Sequence, residues 1–463
     1  MITDKNISVQ EFDMDFTQRL KQRLLKMDEK QVAILLAITA FLCYTSMYAF
    51  RKSFTASTYS NESIFGIDYK VCLIICQMLG YLCAKFYGIK FIAESKNQNK
   101  GRYLAILITI SWIGLLGFAV LPNPWNALLL LVNGFPLGMV WGLVFSYLEG
   151  RRYTEIMGAV MSVSLIFASG FIKTVGRWMI ASTHVNEYWM PFLTGLIFFL
   201  PFMACVWVLE NSPPPTARDK AMRTERVAMN GTMRKQFFKT FMPGIVMTIV
   251  IYTMLTMLRD VRDNFEVEIW HKVTHGEHWI FAQVDTFIAL TVLWVIGSLI
   301  RVKDNLKAFK MIHGLIICGF LLAGVSTYLF SIERIGGLSW MVLVGLGLYL
   351  AYIPYNAIFF ERMIATYGIK SNIGFVMYLA DSFGYLGSFL ILLNKELLPN
   401  TVVWSNYFTK LVYIASIVGS VLALLSWVYF VRKKAALHKQ NITTESPSWC
   451  PAQEVQNKLN TTV

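Results

Sequence analysis

Charged residues are scarce in this sequence of 463 residues: Asp, Glu, Lys and Arg together make up 15% of it, against about 25% in an average soluble domain. Hydrophobic residues make up 56%, which excludes a disordered chain and argues strongly against a soluble enzyme. Acidic residues are the scarcer charged type: the sequence has 42 Lys and Arg and 28 Asp and Glu, for a net charge of +14. The basic residues lie in short clusters between long apolar runs, as in membrane proteins. We therefore expect a lipid bilayer, and no nucleic acid, as a partner.

Motifs for metals, disulfides and nucleotides are also missing. The cysteines form no CxxC pair and no His/Cys cluster with metal-ligand spacing. His271, His275 and His278 lie close together, but we interpret them as part of a solvated polar loop at 263–278. No glycine-rich loop carrying a Walker lysine is present, so ATP is not expected to drive the protein. The sequence predicts no cofactor, no metal and no covalent catalysis.

The N-terminal segment is polar and mixed in charge, unlike the short basic start and apolar core of a signal peptide. Residues 11–30 have the pattern of a short amphipathic helix that leads into the membrane. Two interpretations fit this segment: a solvated cytoplasmic arm, which we favour, and an anchor on the lipid surface.

Twelve apolar runs are each long enough to cross a bilayer of ~30 Å as a helix. One long basic connection, which begins with three consecutive prolines, separates six runs from six. We therefore predict an all-α integral membrane protein with an N-terminal arm (1–31), a six-helix half (32–209), a linker (210–240), a second half (241–432) and a tail (433–463). The runs lie at 32–55, 70–92, 103–121, 125–147, 156–181, 189–209, 241–262, 279–301, 308–331, 338–360, 373–395 and 402–431.

Positive charge predicts the orientation of these spans. Lys and Arg concentrate in the N-terminal arm, the linker and the connections on the same side, whereas the connections at 122–124, 182–188 and 396–401 carry none. The positive-inside rule therefore places both termini in the cytoplasm, with the protein in the inner (cell) membrane. Twelve spans in two halves resemble the layout of the major facilitator superfamily, whose halves enclose a site near the middle of the membrane. We expect a monomer.

Small residues and a proline predict local features of two spans. Gly134, Gly138 and Gly142 form a GxxxGxxxG pattern in the fourth span, which lets two helices approach closely. Pro354 is expected to loosen the tenth span and could serve as a hinge.

Six ionisable residues interrupt the apolar runs. Each costs roughly 2.5–3.5 kcal/mol at a helix centre on insertion scales, so we expect them to face a wet cavity or one another. Basic side chains near the end of a run, such as Arg51 and its neighbour Lys52, could instead reach the interface. Lys173 and Arg177 are four residues apart and share one helix face. The six residues are Arg51, Lys85, Lys173, Arg177, Arg259 and Asp381.

Asp381 has no cation near it in the sequence, and two roles are open for it. As an unpaired buried carboxylate it would favour its protonated form and could carry a proton. As a structural residue it would form an ion pair, with Arg259 or Lys173 as the expected partner. Tyr48 and Tyr378 are candidates to present hydroxyl groups to a substrate.

Several short segments resemble the organophosphate:phosphate antiporters, the branch that holds the glycerol-3-phosphate and hexose-phosphate transporters. Residues 48–54, with Tyr48, Arg51 and Lys52, resemble its first-helix signature, and residues 81–86 are similar to its second-helix motif. Residues 133–141 and 383–387 match patterns of its fourth and eleventh helices, and Arg259 stands at the position of its seventh-helix arginine. The chain looks most like a bacterial side branch of this family.

This resemblance implies a phosphate-binding site shared by Arg51 and Arg259, with Lys85 assisting. Guanidinium groups suit this role, because they stay charged and hold phosphate through two hydrogen bonds. The chain also departs from the family: Phe167 stands in place of a fifth-helix histidine, and Lys173 and Arg177 have no counterpart. The sequence therefore predicts a secondary transporter, such as an antiporter, for a small anionic metabolite, with organophosphates or phosphate as candidates.

Three alternatives stay open. A proton-coupled permease for another anionic metabolite would use Asp381 as its proton carrier. A membrane sensor could keep the carrier fold and bind its ligand without transporting it. An integral-membrane enzyme would need clustered histidines or paired carboxylates, for which the sequence offers only the loop histidines.

Overall fold

The computed structural model describes residues 16–60, 62–94, 99–216, 219, 231–273, 280–368, 373–397 and 403–443. Within these ranges the protein is a bundle of long helices with one short β-hairpin. Of the described helices, 10 are long and apolar enough to cross a membrane by length and composition. The chain is therefore a multi-pass integral membrane protein, as the hydropathy predicts.

The first half begins with a separate amphipathic helix, α1, and then contains six long helices. The N-terminus of α2 is closed by a capping box, in which the Asp28 side chain accepts a hydrogen bond from the Gln31 backbone N–H and Gln31 Oε1 accepts one from Asp28 N (3.2 Å). The Asp28 side chain also accepts from Glu29 N (2.9 Å). A 3₁₀ turn (Ser53–Ala56) and a hairpin lead from α2 into α3; the hairpin strands are β1 (Ser63–Ile64) and β2 (Ile67–Asp68), with Ser63 opposite Asp68. The helices are α1 (Phe16–Lys26), α2 (Glu29–Lys52), α3 (Tyr69–Glu94), α4 (Lys100–Val120), α5 (Trp125–Leu148), α6 (Thr154–Thr183) and α7 (Met190–Glu210).

The second half adds six long helices and two short ones. A π-helical turn (Tyr355–Phe359) joins α12 to α13 directly after Pro354. Proline cannot donate the backbone hydrogen bond of a regular helix, so the tenth predicted span loosens where the sequence indicated. The helices are α8 (Gly231–Asn264), α9 (Glu266–Val273), α10 (Ile280–Ile300), α11 (Asn305–Ser331), α12 (Gly337–Pro354), α13 (Phe360–Tyr367), α14 (Ile373–Glu396) and α15 (Trp404–Thr443).

All twelve predicted spans correspond to helices, and the predicted fold class is confirmed. Helices cross the predicted domain boundaries at several points: α2 begins within the 1–31 arm, α7 ends at the first residue of the 210–240 linker, α8 begins within that linker, and α15 continues into the 433–463 tail. Residues 1–15 of the predicted arm, 217–218 and 220–230 of the linker and 444–463 of the tail lie outside the described residues.

The glycine pattern of α5 lets it approach another helix closely, as predicted, and that helix is α3. A Cβ atom at Gly134 would lie 2.2 Å from the Gln77 carbonyl oxygen, and one at Gly138 would lie 2.7 Å from Ala84 Cβ. Any larger side chain at these positions would push the helices apart. This contact fixes α3, which carries Tyr81 and Lys85 towards the second half.

The predicted solvated loop at 263–278 is wrong in its first part. The helix α8 continues to Asn264, and α9 follows at once, with Glu266 and Ile269 fully buried. The charges of this segment find partners on other helices, so it does not need water to solvate them. The His271 side chain, His275 and His278 lie outside what the structure describes.

Candidate functional site

A polar pocket lies where α2 and α3 of the first half meet α8 and α14 of the second. It encloses about 300 Å³, part of which is open to solvent. Most of its wall consists of charged, amide and phenol side chains, which is unusual inside a helix bundle this apolar. The wall is formed by Arg51, Lys52, Ile74, Gln77, Met78, Tyr81, Asp260, Asn264 and Tyr385.

Arg51 and Arg259, one from each half, reach the same tyrosine. Arg51 Nη2 donates a hydrogen bond to the Tyr385 hydroxyl (3.3 Å), and the Arg51 guanidinium carbon lies 4.5 Å from the centre of the Tyr81 ring. The Arg259 guanidinium carbon lies 5.9 Å from the centre of the Tyr385 ring. Aromatic faces of this kind stabilise buried cations without neutralising them.

The two arginines nevertheless have different surroundings. Arg259 donates from Nε (3.0 Å) and Nη2 (2.7 Å) to Asp260 Oδ1, and from Nη1 to the Tyr352 hydroxyl. Arg259 is not part of the pocket wall, whereas Asp260 and Arg51 are. Arg51 therefore lines the pocket directly, whereas Arg259 bonds Asp260, which lines it.

Lys52 also lines the pocket, with only 4% of its surface exposed. Its ammonium Nζ lies 2.6 Å from Asn264 Oδ1 of α8. The side chain therefore does not extend to the membrane interface, the alternative considered from its place at the end of a span. The sequence could not show this, because Asn264, which bonds Lys52, belongs to the other half of the protein.

Asp381 is paired, but its partner differs from the two predicted ones. Its Oδ2 accepts from Lys85 Nζ (3.0 Å), and its Oδ1 accepts from the Tyr252 hydroxyl (2.5 Å). Neither Arg259 nor Lys173 forms the predicted bond. Lys85 and Asp381 are 296 residues apart, and the pair joins α3 to α14 across the two halves.

Lys173 belongs to a second cluster of buried charges, away from the pocket wall. Its ammonium donates to Glu266 Oε2 of α9 and to Ser169 Oγ (2.9 Å). Arg262 lies in the same cluster, with Nη2 at 2.8 Å from Asp285 Oδ1 and 3.7 Å from Glu266 Oε1.

Two of the remaining predicted site residues, Arg177 and Tyr48, do not line the pocket. Arg177 is partly buried one turn beyond Lys173, and within the described part of the chain no ion pair joins it to either cluster. Tyr48 is buried beside Arg51, whose guanidinium carbon lies 5.5 Å from its ring centre. The Tyr378 side chain lies outside what the structure describes.

Sequence reasoning missed four polar residues of the wall: Gln77, Asp260, Asn264 and Tyr385. Gln77 and Asp260 had a usable signal, since an amide or a carboxylate within an apolar run is costly unless it is bonded. Asn264 was assigned to a loop, and Tyr385 was seen only as part of the 383–387 motif, without a role at the site. Within the described ranges, no group of three or more His, Cys, Asp or Glu could hold a metal ion.

The model of a family of unknown function, DUF5690, matches residues 53–433. The chain belongs to this family. No curated protein matches the chain in sequence.

Solved structures show the fold of this DUF5690 member. A crystal structure of a D-xylose–proton symporter is similar with a TM-score of 0.56 and 14% identity, covering 86% of this chain and 96% of that one. The nucleoside transporter NupG is similar with a TM-score of 0.53 and 15% identity, covering 87% of this chain and 100% of that one. The peptide transporter POT in complex with alafosfalin is similar with a TM-score of 0.57 and 12% identity, covering 88% of this chain and 99% of that one. At these identities the likeness shows the twelve-helix fold of the major facilitator superfamily.

Proposed function

We propose that the protein is a secondary transporter that moves a small anionic metabolite by alternating access. The observation that carries the proposal is a pocket at the junction of the two halves, with the buried side chains of Arg51 and Lys52 in its wall. The wall is built from both halves, so a rocking motion between them would open the pocket to either side of the membrane. The fold shared with three solved transporters supports the same conclusion.

The charges of the pocket favour an anion. Arg51, Lys52 and Arg259 are all at least nine-tenths buried, and Asp260 is the carboxylate bonded within this group. Lys85 and Asp381 neutralise each other. A buried cation without a counter-charge is unfavourable in a low-dielectric site, so an anionic ligand would stabilise Arg51 and Lys52.

Arg51 is the residue we expect to bind the anionic group. A guanidinium has five N–H donors, and the structure uses one of those of Arg51, towards Tyr385. The others are suited to a phosphate or carboxylate, which guanidinium binds with two parallel hydrogen bonds. The resemblance of residues 48–54 to the organophosphate:phosphate antiporters makes phosphorylated metabolites the first candidates.

A binding screen followed by a transport assay tests the proposal. Phosphorylated and carboxylated metabolites are screened by thermal shift against the purified chain, and labelled forms of those that bind are followed in counterflow with proteoliposomes. We expect counterflow that falls at least about tenfold in Arg51→Lys, because an ammonium cannot reproduce the planar fork. The matched control is Arg102→Lys, at an exposed position near the start of α4.

Each contrary result points to a different alternative. Binding without counterflow would indicate a sensor with a carrier fold. Binding of neutral or cationic compounds alone would refute the anion site. Equal counterflow in Arg51→Lys and Arg102→Lys would remove Arg51 from the site.

A further inference from the structure

We infer that Asp260 is a specificity-determining residue, whose free carboxylate oxygen accepts a hydrogen bond from an amine or hydroxyl group of the substrate. The inference rests on the proposed anion site and adds a second contact to it. The substrate class is then an anion that also carries an N–H or O–H donor a few bonds away from its charged group. Plain alkyl anions would be bound poorly.

The two oxygens of Asp260 are used unequally. Oδ1 accepts two hydrogen bonds from Arg259, from Nε and from Nη2. Oδ2 is buried and has no hydrogen-bond partner among the described residues. A buried carboxylate oxygen without a donor is unfavourable, and this one belongs to a residue of the pocket wall. A donor supplied by the substrate would satisfy it.

The anionic group of such a substrate would bind Arg51 and Lys52, on the α2 side of the pocket. Arg51 and Lys52 come from α2, and their bonds in the structure go to Tyr385 and Asn264. Among the described residues, neither cation has a carboxylate oxygen within the 4.0 Å of an ion pair. The α2 side of the pocket therefore offers positive charge, and the α8 side offers the oxygen of Asp260. A ligand with an anionic group and a donor would match both.

One side chain of the protein competes for the role of donor. The Ser388 hydroxyl on α14 lies close to the Asp260 carboxylate, and Ser388 Oγ is itself buried without a hydrogen-bond partner among the described residues. If the Ser388 hydroxyl donated a hydrogen bond to Asp260 Oδ2 in the bound state, the substrate would need no donor. Ser388→Ala is therefore the control variant, and we expect it to leave substrate preference unchanged.

The test uses two sets of ligands with the same chain length, so that only one terminal group changes. The phosphate set is 2-aminoethyl phosphate, 2-hydroxyethyl phosphate and propyl phosphate. The carboxylate set is β-alanine, 3-hydroxypropanoate and butanoate. Affinities are measured by calorimetry on the purified full chain in detergent, for the wild type, Asp260→Asn and Ser388→Ala. Arg259→Gln/Asp260→Asn covers the case in which the single variant fails to fold, because the double variant leaves no unpaired cation behind.

We expect the wild type to bind a donor-bearing member of one set at least about tenfold more tightly than its alkyl analogue, because a site built to bond a substrate donor rejects the analogue that lacks it. The ratio should fall to about one in Asp260→Asn or in the double variant, and persist in Ser388→Ala. The tighter of the amine and the hydroxyl identifies the donor.

The contrary outcomes separate this inference from the anion site. Equal or tighter binding of the alkyl member, or a ratio that survives the loss of Asp260, refutes the role of Asp260 and leaves the anion site standing. A ratio abolished by Ser388→Ala assigns the effect to Ser388 and also overturns the inference. If no member of either set binds the wild type, the anion site fails together with the inference.

Discussion

Lys173 of α6 and Glu266 of α9 form an ion pair in which neither side chain is exposed to solvent. The pair joins the two halves at the end of the bundle where α2 and α8 finish, which we call the distal end. Two further contacts join the halves there: Lys70 Nζ lies 2.6 Å from Glu268 Oε1, and Lys52 bonds Asn264. Three lysines of the first half thus bond alternate residues of the α8–α9 junction, and these contacts join the two halves at the distal end.

The buried pair predicts unequal effects of single and double substitutions. Lys173→Met should destabilise the protein by ~3–5 kcal/mol, because it leaves Glu266 buried without its lysine. Lys173→Met/Glu266→Leu should recover most of this loss, since apolar residues often replace a buried ion pair at no cost. Thermal unfolding of the purified protein measures both. The control is Glu155→Gln, which breaks a more exposed pair with Arg362. Equal losses in the single and double variants would contradict the prediction.

The orientation predicts which positions an impermeant thiol reagent reaches. In a cysteine-free background, a cysteine introduced at Thr216 in the linker should stay unlabelled in intact cells and become labelled after the cells are opened. A cysteine at Asn186, exposed between α6 and α7 at the distal end, should be labelled in intact cells. The reverse pattern would overturn the prediction that both termini are cytoplasmic.

The fold could be predicted because its signals are local. Each span is recognisable from about 20 consecutive apolar residues, and the glycine pattern of the fourth span predicts a close helix contact without identifying the partner helix. The pairing of charges could not be predicted in the same way. Lys85 and Asp381 are 296 residues apart, and nothing in either segment identifies the other.

The wrong interpretation of 263–278 has the same origin. A run that contains Asp263, Glu266 and Glu268 has the composition of a solvated loop, and only the partners on other helices make its burial possible. Tyr349 donates to Asp263 (2.9 Å), and Lys173 and Lys70 bind the two glutamates. Two of these partners are lysines within or at the start of other spans. A lysine in a membrane span is unfavourable without a partner, so these lysines were the available signal that acidic residues elsewhere are buried with them.

The unequal surroundings of the two arginines predict different phenotypes. Arg51→Lys should lower anion affinity at least about tenfold with little loss of stability, because the pocket loses a planar fork and keeps its charge. Arg259→Lys should lower the thermal unfolding temperature as well, because a lysine cannot bond Asp260 and Tyr352 together as the guanidinium does. Calorimetric binding and thermal unfolding of both variants separate the effects. Identical phenotypes would contradict the distinction between a pocket residue and its neighbour.

The ion pair of Asp381 with Lys85 predicts the outcome of Asp381→Asn. The substitution leaves Lys85 without the carboxylate that it bonds at 3.0 Å, so exchange and pH-driven uptake should both be lost, together with stability. Lys85→Gln/Asp381→Asn should restore folding, since it removes both charges. Counterflow and uptake under an imposed pH gradient are measured in the same proteoliposomes. Together they distinguish a structural role of Asp381 from a role as proton carrier. A variant that keeps exchange and loses only the pH-driven uptake would make Asp381 a proton carrier, and the chain a proton-coupled permease.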